Sequence, residues 1–197
     1  LGDYAAAEDW QQRALAAYRA QQSPRQVAHV LESLALNDRR RQRDDAARAK
    51  LEEAWNVFAE QRAARDQLRV ATHLARLDAE LGRDAAAVVW IARALELGAG
   101  LNQAPTLALL LAQARTQAAR GEASPARQAL RAKLAVDDGS AIADRVEAWR
   151  FLAQASEHDG DAARAVADLK ASQAATVEQA TRTQNERIAQ WQVRLDV

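Results

Sequence analysis

The histidines His29, His73 and His158 are the side chains of this 197-residue chain whose ordinary pKa lies near neutrality. No HExxH, nucleophile-elbow or phosphate-loop pattern surrounds them, so they read as structural or surface residues. His158-Asp159-Gly160-Asp161 groups ligand types in one loop. It offers too few oxygens for a cation cage, and a turn followed by a helix cap accounts for the same residues. Cysteine is absent, which removes thiolate catalysis, zinc-cysteine sites and disulfides. One basic run stands out, Arg39-Arg40-Arg41-Gln42-Arg43, flanked by Asp38, Asp44 and Asp45. Cations favour a helix C-terminus, and the flanking acids suit a solvated helix end. With 27 Lys+Arg against 27 Asp+Glu, the chain lacks the wide positive field that nucleic acid or an anionic membrane requires. No catalytic residue, metal site or cofactor is assigned.

The elements that carry these residues are helices. The chain is 49% apolar and about a quarter alanine, with few β-branched and aromatic residues, a bias toward helix throughout. Gly2, Gly82, Gly121 and Gly160 mark one period, with Gln42 at the midpoint of the first interval. Five residues after each mark stands alanine: Ala7, Ala47, Ala87, Ala126 and Ala165. Seven further on come Ala14, Ala54, Ala94 and Ser172, with Lys133 the exception. Each unit reads as a helical hairpin: glycine ends the first helix in a left-handed conformation, and Asp3, Asp84, Ser124 or Asp161 caps the second. The alanines lie two turns apart on one face, where a neighbouring backbone comes close. Apolar stripes upstream, such as Val27, Val30, Leu31 and Leu34, supply the first helices. Pro24, Pro105 and Pro125 fall at helix starts, and Gly98 and Gly100 fall between hairpins. Trp10 and Trp90 occupy equivalent places and are expected to pack between repeats. The run Thr106-Leu107-Ala108-Leu109-Leu110-Leu111-Ala112 is apolar on more than one face, and is expected to be sandwiched.

Gly2-Asp3-Tyr4 with Ala7 and Ala14, and Leu81-Gly82 with Ala87 and Ala94, resemble the tetratricopeptide repeat family. The resemblance covers residues 1–172 and implies an all-α, right-handed superhelix of stacked antiparallel helix pairs. The period of 39 to 40 exceeds the family's usual 34, and the chain opens at a turn, so the first repeat is expected to be truncated. In that family the first helices line a concave groove. The resemblance therefore implies a protein or peptide ligand held by His29, Glu32, Leu36 and Arg39, by Arg69, Thr72, His73 and Arg76, by Leu111 and Arg115, and by Arg150, Phe151 and Gln154. Arginine forks pair with carboxylates, so a mixed basic and apolar groove suits an acidic or C-terminal peptide.

Residues 173–197 continue as helix without glycine or proline. Val177, Gln184, Ile188, Trp191 and Leu195 suit a seam of heptad type, expected to form a weak parallel homodimer with Gln184 setting register. The segment from Asn185 to Asp196 resembles the exit helix of bacterial sensor proteins, which leads toward a diguanylate cyclase (GGDEF) or histidine kinase domain. That resemblance implies a non-catalytic sensory input module, periplasmic, with a cytoplasmic location as the alternative; a passive scaffold is the alternative function. No segment here approaches the roughly 20 apolar residues of a membrane span. A chain starting at Leu1 and lacking methionine is expected to be part of a longer protein, itself possible as a membrane-anchored one.

Overall fold

A computed structural model describes residues 4–122, 125–136 and 140–195, with side chains described within residues 8–188 except Arg187. Among the described residues there are nine helices and no strand. The chain divides into two compact units, Leu1–Pro105 and Thr106–Val197. Unit 1 holds α1 (Tyr4–Ala20), α2 (Pro24–Arg40), α3 (Asp44–Glu60), α4 (Ala64–Glu80) and α5 (Asp84–Gly100). Unit 2 holds α6 (Leu107–Ala119), α7 (Pro125–Leu134), α8 (Ile142–His158) and α9 (Ala162–Leu195). Helices consecutive in the chain pack together within each unit, and α6 also meets α8. The all-α helical-repeat class expected from the sequence is the one observed.

The helices of unit 1 are all 17 residues long, joined by three-residue turns of one design. At Gly82 the backbone turns left-handed with φ 67°, and the Arg83 amide reaches back to the Asp78 carbonyl at 2.8 Å. This six-to-one bond satisfies a carbonyl that the helix end would leave unpaired. The same bond closes the turns at Gln22, Gln42, Arg62, Asn102, Gly121 and Gly160, all at positive φ. The glycines identified from sequence therefore mark only some of the turns. Gln22, Arg62 and Asn102 bend the chain identically without the residue that signals it.

Two local expectations need correction. Gly98 and Gly100 lie inside α5 rather than between hairpins. A Cβ on Gly98 would meet the Gln103 carbonyl oxygen at 3.2 Å, so the small residue admits the turn that folds back over it. Asp84 does not cap α5: Arg83 occupies the cap position, and Asp84 begins the helix, where its charge still suits the dipole. Asp161 does cap, accepting from the Arg164 amide at 3.0 Å. Gly2, Asp3 and Ser124 lie outside the described residues.

The alanine pairs occupy close contacts, as Ala47, Ala54, Ala87 and Ala94 are each fully buried. Leu107, Leu109, Leu110, Leu111 and Ala112 are all buried, the sandwiched arrangement. In unit 2 the core joins Leu107, Leu110 and Leu111 to Leu130 and Leu152. No break separates the last hairpin from the C-terminal segment: α9 runs 34 residues and passes Ser172 without interruption.

Candidate functional site

In unit 1 the first helices α2 and α4 face each other through charge. Glu32 is buried, and Arg69 donates to both its oxygens, Nε to Oε1 at 2.6 Å and Nη2 to Oε2 at 2.8 Å. His73 Nε2 stands 3.4 Å from the same carboxylate. Arg69 also pairs with Asp66 at 3.0 Å and points Nη2 at His29 Nδ1, 3.2 Å away. Arg25 closes the chain, donating to Asp66 at 2.8 Å. Burial by itself would raise the Glu32 carboxyl. Hydrogen bonds and charge from His73 and Arg69 outweigh it and hold the pKa at about 2. The Glu32 hydrogen bond in turn raises Arg69. His29 stacks edge-on against Phe58, centroids 5.0 Å apart, which fixes the ring at the rim of this cluster.

Further along the same helices, Glu80 accepts from Arg76 at 2.8 Å and also from Arg39. Thr72 is buried and returns its hydroxyl to the Leu68 carbonyl at 2.9 Å, and Leu36 is half-buried. The structure thus brings together His29, Glu32, Arg69 and His73, and separately Arg39 and Arg76. Their cationic character is largely neutralised from within. The sequence superposition missed Arg25, Asp66 and Glu80, because the neutralising partners stand 37 to 41 positions away, across the hairpin period. The basic run behaves in the same way: Arg41 and Arg43 meet Glu8, and Arg43 also pairs with Asp38 at 2.6 Å.

Unit 2 differs. Arg115 lies 3.8 Å from Glu147 on the neighbouring first helix. Leu111, expected on the groove, is 1% exposed and belongs to the core, because α6 is covered on more than one side. Phe151 is half-buried against that core and lines, with Gln154 and His158, a cleft of about 580 Å³ between α8 and the Gly121 turn. Arg127 and Asp159, paired at 2.6 Å, close its rim. Arg150, one turn before Gln154, is exposed and has no ionic or hydrogen-bonding partner among the described residues. His158 was set aside on sequence alone; only the fold carries it to the cleft, since residue 158 ends α8 beside the turn.

The tryptophans form a third feature. Trp90 is 6% exposed and meets Trp55 edge to face at 5.2 Å, with the Arg93 guanidinium 4.5 Å from its centroid. This is the inter-repeat packing expected. Trp10, equally placed on α1, is 69% exposed, with Arg13 stacked at 5.5 Å. On α9, Val177, Gln184 and Ile188 are exposed, whereas the Trp191 and Leu195 side chains lie outside the described residues.

No family model and no curated protein matches the sequence. Solved structures do resemble the fold. BtubC (BKLC) from P. vanneervenii superposes with a TM-score of 0.66 at 20% identity, over 90% of this chain and 75% of that one. Aspartyl phosphate phosphatase F from Bacillus subtilis gives 0.62 at 13% identity over 88% of this chain, which spans 44% of that protein. At such identities the likeness is one of fold, and the fold shared is a tetratricopeptide-like helical repeat.

Proposed function

We propose that this chain is a non-catalytic binding module that captures a protein or peptide segment on the first-helix face of unit 2. The observation that carries the reading is a cleft of mixed character beside a cation with no partner among the described residues: Phe151, Ala118 and Ala155 give the cleft an apolar floor among polar side chains, and Arg150 stands one turn from Gln154. The other arginines expected on the groove, Arg39, Arg69, Arg76 and Arg115, already face a carboxylate. A segment combining one apolar side chain with an acidic residue or a terminal carboxylate fits this arrangement. Selection from a displayed random-peptide library tests it. Enriched sequences should be acidic with an apolar anchor, and Arg150→Glu with Phe151→Ala should abolish their binding. Enrichment of basic or featureless sequences refutes the reading.

Within that class we further propose a sensory input role, upstream of a diguanylate cyclase or histidine kinase and periplasmic in placement. Support comes from α9, which extends far past its hairpin partner and resembles an exit helix in sequence. Among the described residues no helix is long and apolar enough to cross a membrane. The coding sequence beyond Val197 decides between sensing and scaffolding. A membrane span or a cyclase or kinase domain is expected there, and a stop codon supports the scaffold.

A further inference from the structure

The second helices of unit 1 span 17 residues, but α9 spans 34, and α8, itself 17 residues long, is too short to run beside the whole of it; its first residue, Ile142, still shares a hollow with Thr181 to Glu186. One face of α9 packs on α8 through Asp168, Ser172 and Ala175, all buried. Another face is bare. Val166, Leu169, Val177 and Ile188 are 53%, 50%, 65% and 48% exposed. These residues fall on a strict pattern: 166, 169, 173, 177, 180, 184, 188, 191, 195, with steps of three, four and four. At steps of eleven Val166 recurs as Val177 and Ile188, and Gln173 as Gln184 and then Leu195, while Leu169, Ala180 and Trp191 share apolar character alone. A heptad through Val177, Gln184, Ile188, Trp191 and Leu195 runs upstream to Lys170 instead of Leu169 and Val166, so it fits the C-terminal half of α9 alone, whereas the eleven-residue spacing also takes in the exposed residues before Ser172. An eleven-residue repeat gives about 3.67 residues per turn, close to an undistorted helix, and pairs helices with a slight right-handed supercoil.

We propose that α9 pairs with α9 of a second copy of this chain, parallel and in register, along the seam from Val166 to Leu195. A further hairpin of 17-residue helices, like α4 after α3, would cover only the first half of α9. The period crosses residue 178 unchanged, so the covering element must match the whole length and the same spacing. Another α9 does both. In parallel register each seam residue meets its own copy: β-branched layers every eleven residues, and Gln173 and Gln184 each opposite an amide that can donate and accept in return. An antiparallel arrangement that keeps Gln173 opposite Gln184 sets positions 170 and 187, a lysine and an arginine, across from one another beside the seam. Trp191 and Leu195 join the seam by sequence spacing along α9. The pairing is independent of what unit 2 binds.

The absence of cysteine makes the test direct, since single-cysteine variants of the full chain report register without background. Sedimentation should give twice the 21.5 kDa of one chain as concentration rises. Val177→Cys, Gln184→Cys and Ile188→Cys should each cross-link to their own copies much faster than Arg182→Cys, which is off the seam. Val177→Asp with Ile188→Asp should return the chain to a monomer with unchanged helix content, both side chains being exposed in the protomer. Monomer at every concentration overturns the proposal. So does equal cross-linking at 182, or Gln184→Cys linking to Gln173→Cys in a mixture but not to itself.

Discussion

Glu32 shows how one carboxylate organises the face between α2 and α4. Its folded pKa of about 2 lies below the ordinary 4.5, so its ionised form stabilises the fold above pH 4.5, and that contribution disappears as pH falls toward 2. The wild type should lose on the order of 2 kcal/mol of unfolding free energy over that interval, after solvent screening. Glu32→Gln should flatten this acid limb, as read by urea unfolding at a series of pH values. Equal slopes would show that the carboxylate is not held as described. The arginines divide by the same reasoning. Arg69→Ala removes the two-pronged partner of buried Glu32, leaving it His73, and one of the two arginines on Asp66, and should cost about 2 to 3 kcal/mol in thermal or urea unfolding. Arg150→Glu removes no intramolecular pair and should move stability by less than about 0.5 kcal/mol while eliminating peptide capture. Arg69 is therefore part of the fold's ionic network, whereas Arg150 has no intramolecular pair among the described residues.

Helix ends set the next level. Every described turn in unit 1 uses a left-handed residue, yet only the one at 82 is glycine. A side chain in that conformation costs roughly 1 to 2 kcal/mol, against 0.5 to 1 for the extra unfolded-state entropy of glycine. Gln42→Gly should then raise stability by about 0.5 to 1 kcal/mol, and Gly82→Ala should lower it by about 1, both read from the urea midpoint. The buried alanines act in the opposite sense. Ala87 has no exposed surface, and Ala87→Leu should destabilise by roughly 1 to 3 kcal/mol through overpacking between α4 and α5. An unchanged melting midpoint would place Ala87 away from a close contact.

At the scale of the whole molecule, unit 1 carries a complete core in Leu31, Leu34, Leu51, Phe58, Leu74 and Leu77, with its own ionic network. Repeat arrays are stabilised by each element and its nearest neighbours. A chain of residues 1–105 should accordingly melt cooperatively, with helical circular dichroism and with the acid sensitivity of Glu32 retained. A non-cooperative melt would show that its stability depends on the remainder of the chain.

Sequence alone determined the all-α class, the hairpin period and the buried alanines. Those features depend on local rules: alanine favours helix, small residues tolerate close backbones, and glycine at 82, 121 and 160 marks a left-handed turn. It also revealed which arginines and histidines share the first helices. It did not reveal the turns at Gln22, Arg62 and Asn102, because side chains forced into that conformation leave no compositional trace. It left Leu111 with two roles, a groove position and a member of a sandwiched run, and only the second is observed. Only tertiary structure decided which cations are free. A charge is neutralised by what lies within a few ångströms, and Arg69 finds Glu32 on another helix, 37 residues away in sequence. Pairing across helices, which no local pattern encodes, separates the sealed face of unit 1 from the open cleft of unit 2.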